Sequence, residues 1–311
     1  MKTKYSKILY FCLPVMFAAC EQVIDFEGDR PDNKVILNAV IGCDEDSHNI
    51  FLTRSAFIFS SDEVEAIDGL PVEVSINGDM VAEVENQSSG RYVFKAALKT
   101  GDKVEISVPD NLPETVKAID IVPEPPVIVS VDSVRFYDYT TGSVLLRTLI
   151  KIKDKPGEKN YYRLLIKTIT IYDEGDKLEY RIEKEILYSV SQDIILSGLS
   201  REGKEDDNNL SRIFPDDLFS GEEYTLNVFF PVTAGSAFIE EKTEVEIELQ
   251  SLSESLYLYM RSLEQKWNSD IFDQPTKIYS NVNGGYGILG LYSSCKKTII
   301  LNKDEVIPFG T

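Results

Sequence analysis

His48 is the only histidine in the 311 residues, so a Ser-His-Asp triad has one base to draw on and an H-E-x-x-H zinc site or a His cluster cannot be assembled. It sits in the run Asp44-Glu45-Asp46-Ser47-His48. That run lacks the sixth-position glycine and the terminal bidentate Glu of a calcium loop, and reads as a solvated hairpin tip. Gly285-Tyr286-Gly287-Ile288-Leu289-Gly290 spells G-x-G-x-x-G, a pattern that lets a backbone approach a pyrophosphate where a strand turns into a helix. Only 21 residues follow Gly290, with no amphipathic helical repeat and so no βαβ unit to carry an acid about 20 positions on. The context argues against a nucleotide site, and the glycines are expected to admit a neighbouring backbone in a turn or a tightly packed strand. Asp206-Asp207 and Asp216-Asp217 are carboxylate pairs, but glycoside hydrolysis needs two carboxylates about 5–10 Å apart. With 52 acids in the chain, no pair is singled out. There is no G-x-S-x-G and no CxxC. The residues assign no catalytic group, no cofactor and no metal ligand, and the expectation is a protein that is not an enzyme.

One cysteine does carry chemistry. Lys2, Lys4 and Lys7 form a positive start, Ile8 to Phe17 is an almost uncharged apolar run, and Ala18-Ala19-Cys20 follows. About ten apolar residues are too few to span a bilayer, and the order of basic, apolar and small residues is an export pattern. Phe17-Ala18-Ala19-Cys20 resembles the lipobox of bacterial lipoproteins, with Phe17 where Leu is usual. The resemblance implies that residues 1–19 are removed and that Cys20 is diacylated on sulfur. Buried acyl chains contribute about 0.8 kcal/mol per methylene, enough to hold a folded domain at a membrane surface. Of the other cysteines, Cys12 leaves with the signal. Cys43 and Cys295 remain, either joined in one disulfide or packed separately as small apolar residues.

Charge narrows the partners. Lys and Arg number 32 against 52 Asp and Glu, a formal charge of −20, and loss of three lysines with the signal makes the exported part more acidic still. Nucleic acid binding draws on Lys and Arg releasing condensed counterions, so none is expected.

The elements around these residues are β nearly throughout. Residues 20–32 read as a lipidated tether containing Gly28 and Pro31. Residues 33–122 hold short alternating runs at Val35–Leu37, Ile50–Leu52, Val72–Ile76, Tyr92–Phe94 and Val104–Val108. Asn77-Gly78 marks a hairpin, from which Val81 to Val84 is expected to pair back. This spacing, with Pro71-Val72-x-Val74-x-Ile76-Asn77-Gly78 and Gly90-x-Tyr92, resembles small immunoglobulin-like sandwiches. Pro123, Pro125 and Pro126 cannot serve in a central strand and mark a connector. Residues 123–311 then read as a larger sandwich or barrel-like domain, with long runs at 127–139, 144–153, 161–172 and 178–190. Ser200 to Ser211 reads as a solvent loop. The apolar positions Leu252, Leu256, Tyr259, Met260, Leu263 and Trp267 predict a helix over 252–267, capped by Ser251 with Glu254 and packed on the sheet. Two strands near 277–281 and 297–301 are expected to close the chain.

Gln274-Pro275-Thr276-Lys277-Ile278-Tyr279-Ser280-Asn281-Val282-Asn283-Gly284-Gly285-Tyr286-Gly287, together with the preceding helix and the early Leu37–Ile41 strand, resembles the Bacteroidetes lipoprotein family catalogued as domain of unknown function 4249. The likeness spans nearly the whole mature chain. Asp68-Gly69-Leu70 and Leu289 depart from its pattern, and it offers no catalytic motif to carry over. It implies an outer-membrane, cell-surface lipoprotein that acts as a non-catalytic accessory or binding component beside a TonB-dependent nutrient transporter. In that setting Asp132-Ser133-Val134 also resembles the acceptor pattern of Bacteroidetes O-glycosylation at Ser133. Two other readings stay open: a fimbrial, adhesion-type lipoprotein processed after Arg30, and a surface glycan hydrolase.

Overall fold

The computed structural model describes residues 34–55, 64–81, 83–109, 115–138, 143–173, 179–185, 193–197, 212–231, 240–267, 277–301 and 307–308. The first eight strands are β1 (Val35–Gly42), β2 (Ser47–Arg54), β3 (Glu73–Ile76), β4 (Asp79–Met80), β5 (Val84–Asn86), β6 (Arg91–Lys95), β7 (Lys103–Val108) and β8 (Val116–Ile121). After the proline connector come β9 (Val127–Asp138), β10 (Ser143–Lys153), β11 (Tyr161–Asp173), β12 (Glu179–Glu185), the one-turn helix α1 (Ile194–Ser197), β13 (Ile213–Pro215) and β14 (Glu223–Pro231). The last elements are β15 (Glu240–Leu252), helix α2 (Glu254–Trp267), β16 (Val282–Asn283), β17 (Tyr286–Leu301) and β18 (Ile307–Pro308). The protein is mainly β, with a sandwich-like arrangement of several sheets.

A nine-stranded sheet forms the middle of the fold, in the order β12-β11-β15-β17-β1-β2-β6-β5, with β13 on β11. Strict alternation decides its faces. On β1 the residues Val35, Leu37, Ala39 and Ile41 are buried, while Ile36, Asn38 and Val40 point the other way. Two smaller sheets cover the same inner face. The β16-β8-β7-β3-β4 sheet encloses a core with Leu37, Leu52, Phe94, Val74, Ile106 and Ala118. The β14-β10-β9-β18 sheet encloses a second core with Ile150, Val228, Phe230, Leu164, Ile247 and Phe214. Strand β17 serves both: Leu289 and Leu291 enter the first core, and Cys295 and Ile299 pack against the second.

The proline connector therefore separates two cores but not two sheets. Residues 35–122 supply most of the first core, yet β17 pairs parallel with β1, Ile36 opposite Tyr286 through Gly42 opposite Tyr292, and antiparallel with β15. One continuous ladder thus joins segments from both sides of residue 123.

Several local expectations shift. Asp79–Met80 pairs back across the Asn77-Gly78 turn and the Val81 amide bonds Val74 O at 2.8 Å, as expected for Val81, whereas Val84 lies in β5, paired with β6 in the central sheet. Residues 277–281 are not strand, the short β16 following at Val282–Asn283, and 297–301 is the end of a 16-residue strand that begins at Tyr286. Helix α2 starts at Glu254, because β15 runs on to Leu252. Its N-cap is Ser253, not Ser251: the Ser253 hydroxyl accepts the Leu256 amide at 3.2 Å. The apolar side of α2 packs on the outer face of the central sheet, where Leu252, Leu256 and Tyr257 join Ile213 and Tyr292. Trp267 ends the helix, and its side chain lies outside the described residues.

Candidate functional site

A cleft of about 660 Å³ opens where the connector crosses from the first core to the second. Its walls are the connector itself, the β10–β11 loop, and the turn from β15 into α2. Prolines 123, 125 and 126 have no N–H to give a ladder, so this stretch stays out of the sheets and lines the cleft, with Pro123 O held by the Ser293 hydroxyl at 2.6 Å.

The β10–β11 loop is held from beneath by Asp154, which is 2% exposed. Its carboxylate accepts the Tyr162 hydroxyl and, at 2.7 Å, the Gly221 amide. Burial first, and then the hydrogen bond to Asp154 and its charge, drive the Tyr162 phenol far above its ordinary range, so it stays a donor. Asn160 closes the loop, donating to Lys155 O at 3.1 Å and Glu158 O at 3.2 Å, while its own amide reaches Asp216 at 3.0 Å. Lys155 then bridges the cleft to Glu124 of the connector at 2.8 Å. On the opposite wall the Tyr161 ring stacks on Tyr257 with centroids 4.3 Å apart, and its hydroxyl donates to Glu254 at 3.4 Å.

Beneath the cleft the central ladder has a gap. Strand β15 leaves the sheet at Leu252, so the β17 backbone at 289–291 lacks a neighbouring strand on that side. Side chains fill the place. Asn281 accepts the Leu289 amide at 3.0 Å and donates to the Leu289 carbonyl at 2.8 Å, reproducing both bonds of a strand partner. Asp120 of β8 accepts the Leu291 amide at 2.9 Å. The Ser253 hydroxyl also accepts that amide at 3.3 Å and donates to the Asp120 carboxylate, while the Ser253 amide bonds Leu291 O at 2.9 Å. Burial pushes the Asp120 carboxyl up to about 6, against the opposing effect of these donors.

The residues singled out by type are dispersed. Cys20 and Arg30 lie outside the described residues, as do Asp206 and Asp207. Cys43 and Cys295 are not bonded to each other in this structure. The Cys43 thiol donates to Ser293 at 3.1 Å, and Cys295 sits two residues beyond Ser293 on β17, packed on the second core. Burial pushes the Cys43 thiol up. Ser133 is exposed on β9. His48 is 2% exposed, donates from Nε2 to Ala96 O at 2.9 Å and lies against Phe94: a core histidine. Asp44, Glu45 and Asp46 form the β1–β2 hairpin tip, where Asp44 bonds Ser294. Asp216 is buried on Asn160, and Asp217 pairs with Lys159. Among the described residues no group of three or more His, Cys, Asp or Glu is placed to hold a metal.

The glycine-rich run is architecture. A Cβ on Gly287, whose φ is +107°, would stand 2.0 Å from Leu37 O, and one on Gly290 would meet Leu256 at 2.7 Å. The missing side chains let β1 approach on one side and α2 on the other. Sequence reasoning missed Asp120, Asp154 and Asn281. The signal for Asp120 was present: in Val116-x-Ala118-x-Asp120 a carboxylate takes an inward position of a period-two strand.

The profile of the family described as domain of unknown function (DUF4249) matches residues 21–298. The chain belongs to that family. The Tyr279–Gly287 string that resembles its signature is the segment that supplies Asn281 and Gly287, so in this member the signature builds part of the β17 seam. No curated protein matches the chain.

Proposed function

We propose that the chain is an outer-membrane lipoprotein, acylated on Cys20 and exposed at the cell surface, that works as a non-catalytic accessory or binding component of TonB-dependent nutrient uptake. The observation that carries this reading is the position of Cys20. The family match begins at residue 21, directly after the cysteine that the lipobox would make the first residue of the mature chain.

The cleft supports a binding role over a catalytic one. A general acid or base must be free to exchange a proton with substrate. Here Asp154 is committed to Tyr162 and Gly221, Lys155 to Glu124, and Lys159 to Asp217. The lining also includes three prolines, Tyr161, Glu158 on Lys155 and Glu254 on the Tyr161 hydroxyl, a surface suited to a polar ligand of low net charge or to a loop of a partner protein.

The test is purification of the intact lipoprotein from outer membranes in mild detergent, with mass spectrometry of the proteins that accompany it. A TonB-dependent transporter at comparable abundance is expected. Elution alone, or as self-polymers, would overturn the accessory reading in favour of catalysis or adhesion.

A further inference from the structure

The outer face of the central sheet is only partly covered by α2. Along β17, β1, β2 and β6 the outward positions are Tyr286, Ile288 and Gly290; Ile36, Asn38 and Val40; Ser47, Asn49, Phe51 and Thr53; and Arg91, Val93 and Lys95. In a chain of net charge −20, none of these thirteen is an acid. Val40, Phe51 and Tyr286 are 49%, 46% and 50% exposed. Register makes them one patch: Ile36 is opposite Tyr286, Asn38 is opposite Phe51, and Val40 follows Asn38 on the same face. Neighbours of this kind on one sheet face lie within about 5–8 Å of each other. Lys34 stands at its margin, its ammonium 5.5 Å from the Tyr286 ring centre. On this face outward acids begin at Glu85 of the edge strand β5 on one flank and at Glu248 and Glu246 of β15, paired with Lys296, on the other, while Asp44–Asp46 occupy the hairpin tip; the thirteen positions between them are its acid-free part.

We propose that this face rests on the lipid surface to which Cys20 anchors the chain; the inference depends on the lipoprotein reading above. Two observations choose lipid as the occupant. The first is chain length. Lys34 follows Cys20 by fourteen positions, a reach of at most about 50 Å, and Lys34, the first described residue, stands at the patch margin. The second is charge. An acidic body held near anionic headgroups is repelled wherever it presents carboxylates within about 10 Å. The acid-free face with Lys34, Arg91 and Lys95 is the side that escapes this, and its aliphatic and aromatic groups suit the headgroup boundary. Anchoring already supplies a high local concentration, so a weak contact is sufficient to set orientation.

Trp267 is the only tryptophan, which gives a direct test. In a Trp267→Phe background, single tryptophans are placed by Phe51→Trp and Tyr286→Trp, and by Leu218→Trp, an exposed position away from the patch. The lipidated proteins are reconstituted in vesicles of mixed zwitterionic and anionic phospholipid carrying brominated chains. Bromine is expected to quench the tryptophans at 51 and 286 at least twofold more than the one at 218. Equal quenching at all three overturns the proposal. So does shielding at 51 and 286 that appears only with a co-purified membrane protein, which would make the face a protein interface. Mass spectrometry of the Cys20 peptide from the same sample separates the failures. An unlipidated Cys20 fells the lipoprotein reading and this proposal with it; a lipidated Cys20 with equal quenching fells the face assignment alone.

Discussion

Asp120 and Leu291 lie 171 positions apart in the chain, and the carboxylate of one accepts the backbone amide of the other at 2.9 Å. The bond joins the first covering sheet to the central strand at the point where β15 gives way to a helix. It also places an ionisable group where water is scarce. The folded-state pKa of about 6 lies above the ordinary 3.8, so the folded chain holds this proton more tightly than the unfolded one. Its contribution to stability is full below about pH 3.8 and is lost as pH rises through about 6. Asp120→Asn removes the titration. Relative to the parent it is expected to gain on the order of 2–3 kcal/mol between pH 4 and pH 7, at 1.36 kcal/mol per pKa unit. Urea unfolding across that range measures it, and a constant difference would show that Asp120 does not titrate there.

Asn281 stands in for a strand. Asn281→Ala leaves the amide and carbonyl of Leu289 without partners, which costs roughly 2–4 kcal/mol for two buried backbone groups. Asn281→Asp keeps the acceptor and loses the donor, so its loss falls between those of the parent and the alanine variant. The same unfolding experiment at pH 7 ranks the three, and an alanine variant as stable as the parent would remove Asn281 from the ladder.

Two glycines of similar conformation have different surroundings. Gly101 has a φ of +83° and open space, with no atom within 4 Å of the point a Cβ would occupy, whereas Gly287 faces Leu37 O. Gly101→Ala is expected to cost about 1 kcal/mol, the conformational penalty alone. Gly287→Ala must push β1 and β17 apart, and is expected to lower the melting temperature far more or to prevent folding. Thermal unfolding of both, side by side, reads the difference.

Free thiols can be counted. With residues 1–19 removed and Cys20 acylated as proposed, the chain unfolded without reductant is expected to show two reactive thiols, Cys43 and Cys295. A count of zero would mean the two are bridged.

Cys20→Ser removes the acceptor of the proposed lipid. The parent is expected to sediment with membranes and the variant to stay in the soluble fraction. Equal sedimentation would place the anchor elsewhere.

Much of the fold was readable because alternation is a local signal. The runs near Val35, Tyr92, Val104 and Tyr161 each declare an inward face within about five to eight residues, and the Asn77-Gly78 turn declares its hairpin. What the sequence hid was non-local. Nothing near Tyr286 announces that β17 lies beside β1, roughly 250 residues earlier, because pairing depends on which edge is open after the rest has folded. The same holds for the helix start. Ser251 and Glu254 have the spacing of a capping box, but the ladder with β11 and β17 holds Ser251 and Leu252 extended, and the cap moves to Ser253. Asp154 and Asp216 looked like any of 52 acids, since their distinction is burial against Tyr162 and Asn160 rather than a motif.

The parallel pairing of β1 with β17 sets a timetable. β1 emerges from the ribosome among the first strands, and its partner on that side is among the last, so the edge from Ile36 to Gly42 stays open for most of synthesis. Neither half of the molecule can settle early into a finished structure, and a chain cut short before Tyr286 keeps an edge ready to pair with another chain. Under the proposed export as an extended strand, late closure is an advantage: folding waits for the far end to arrive.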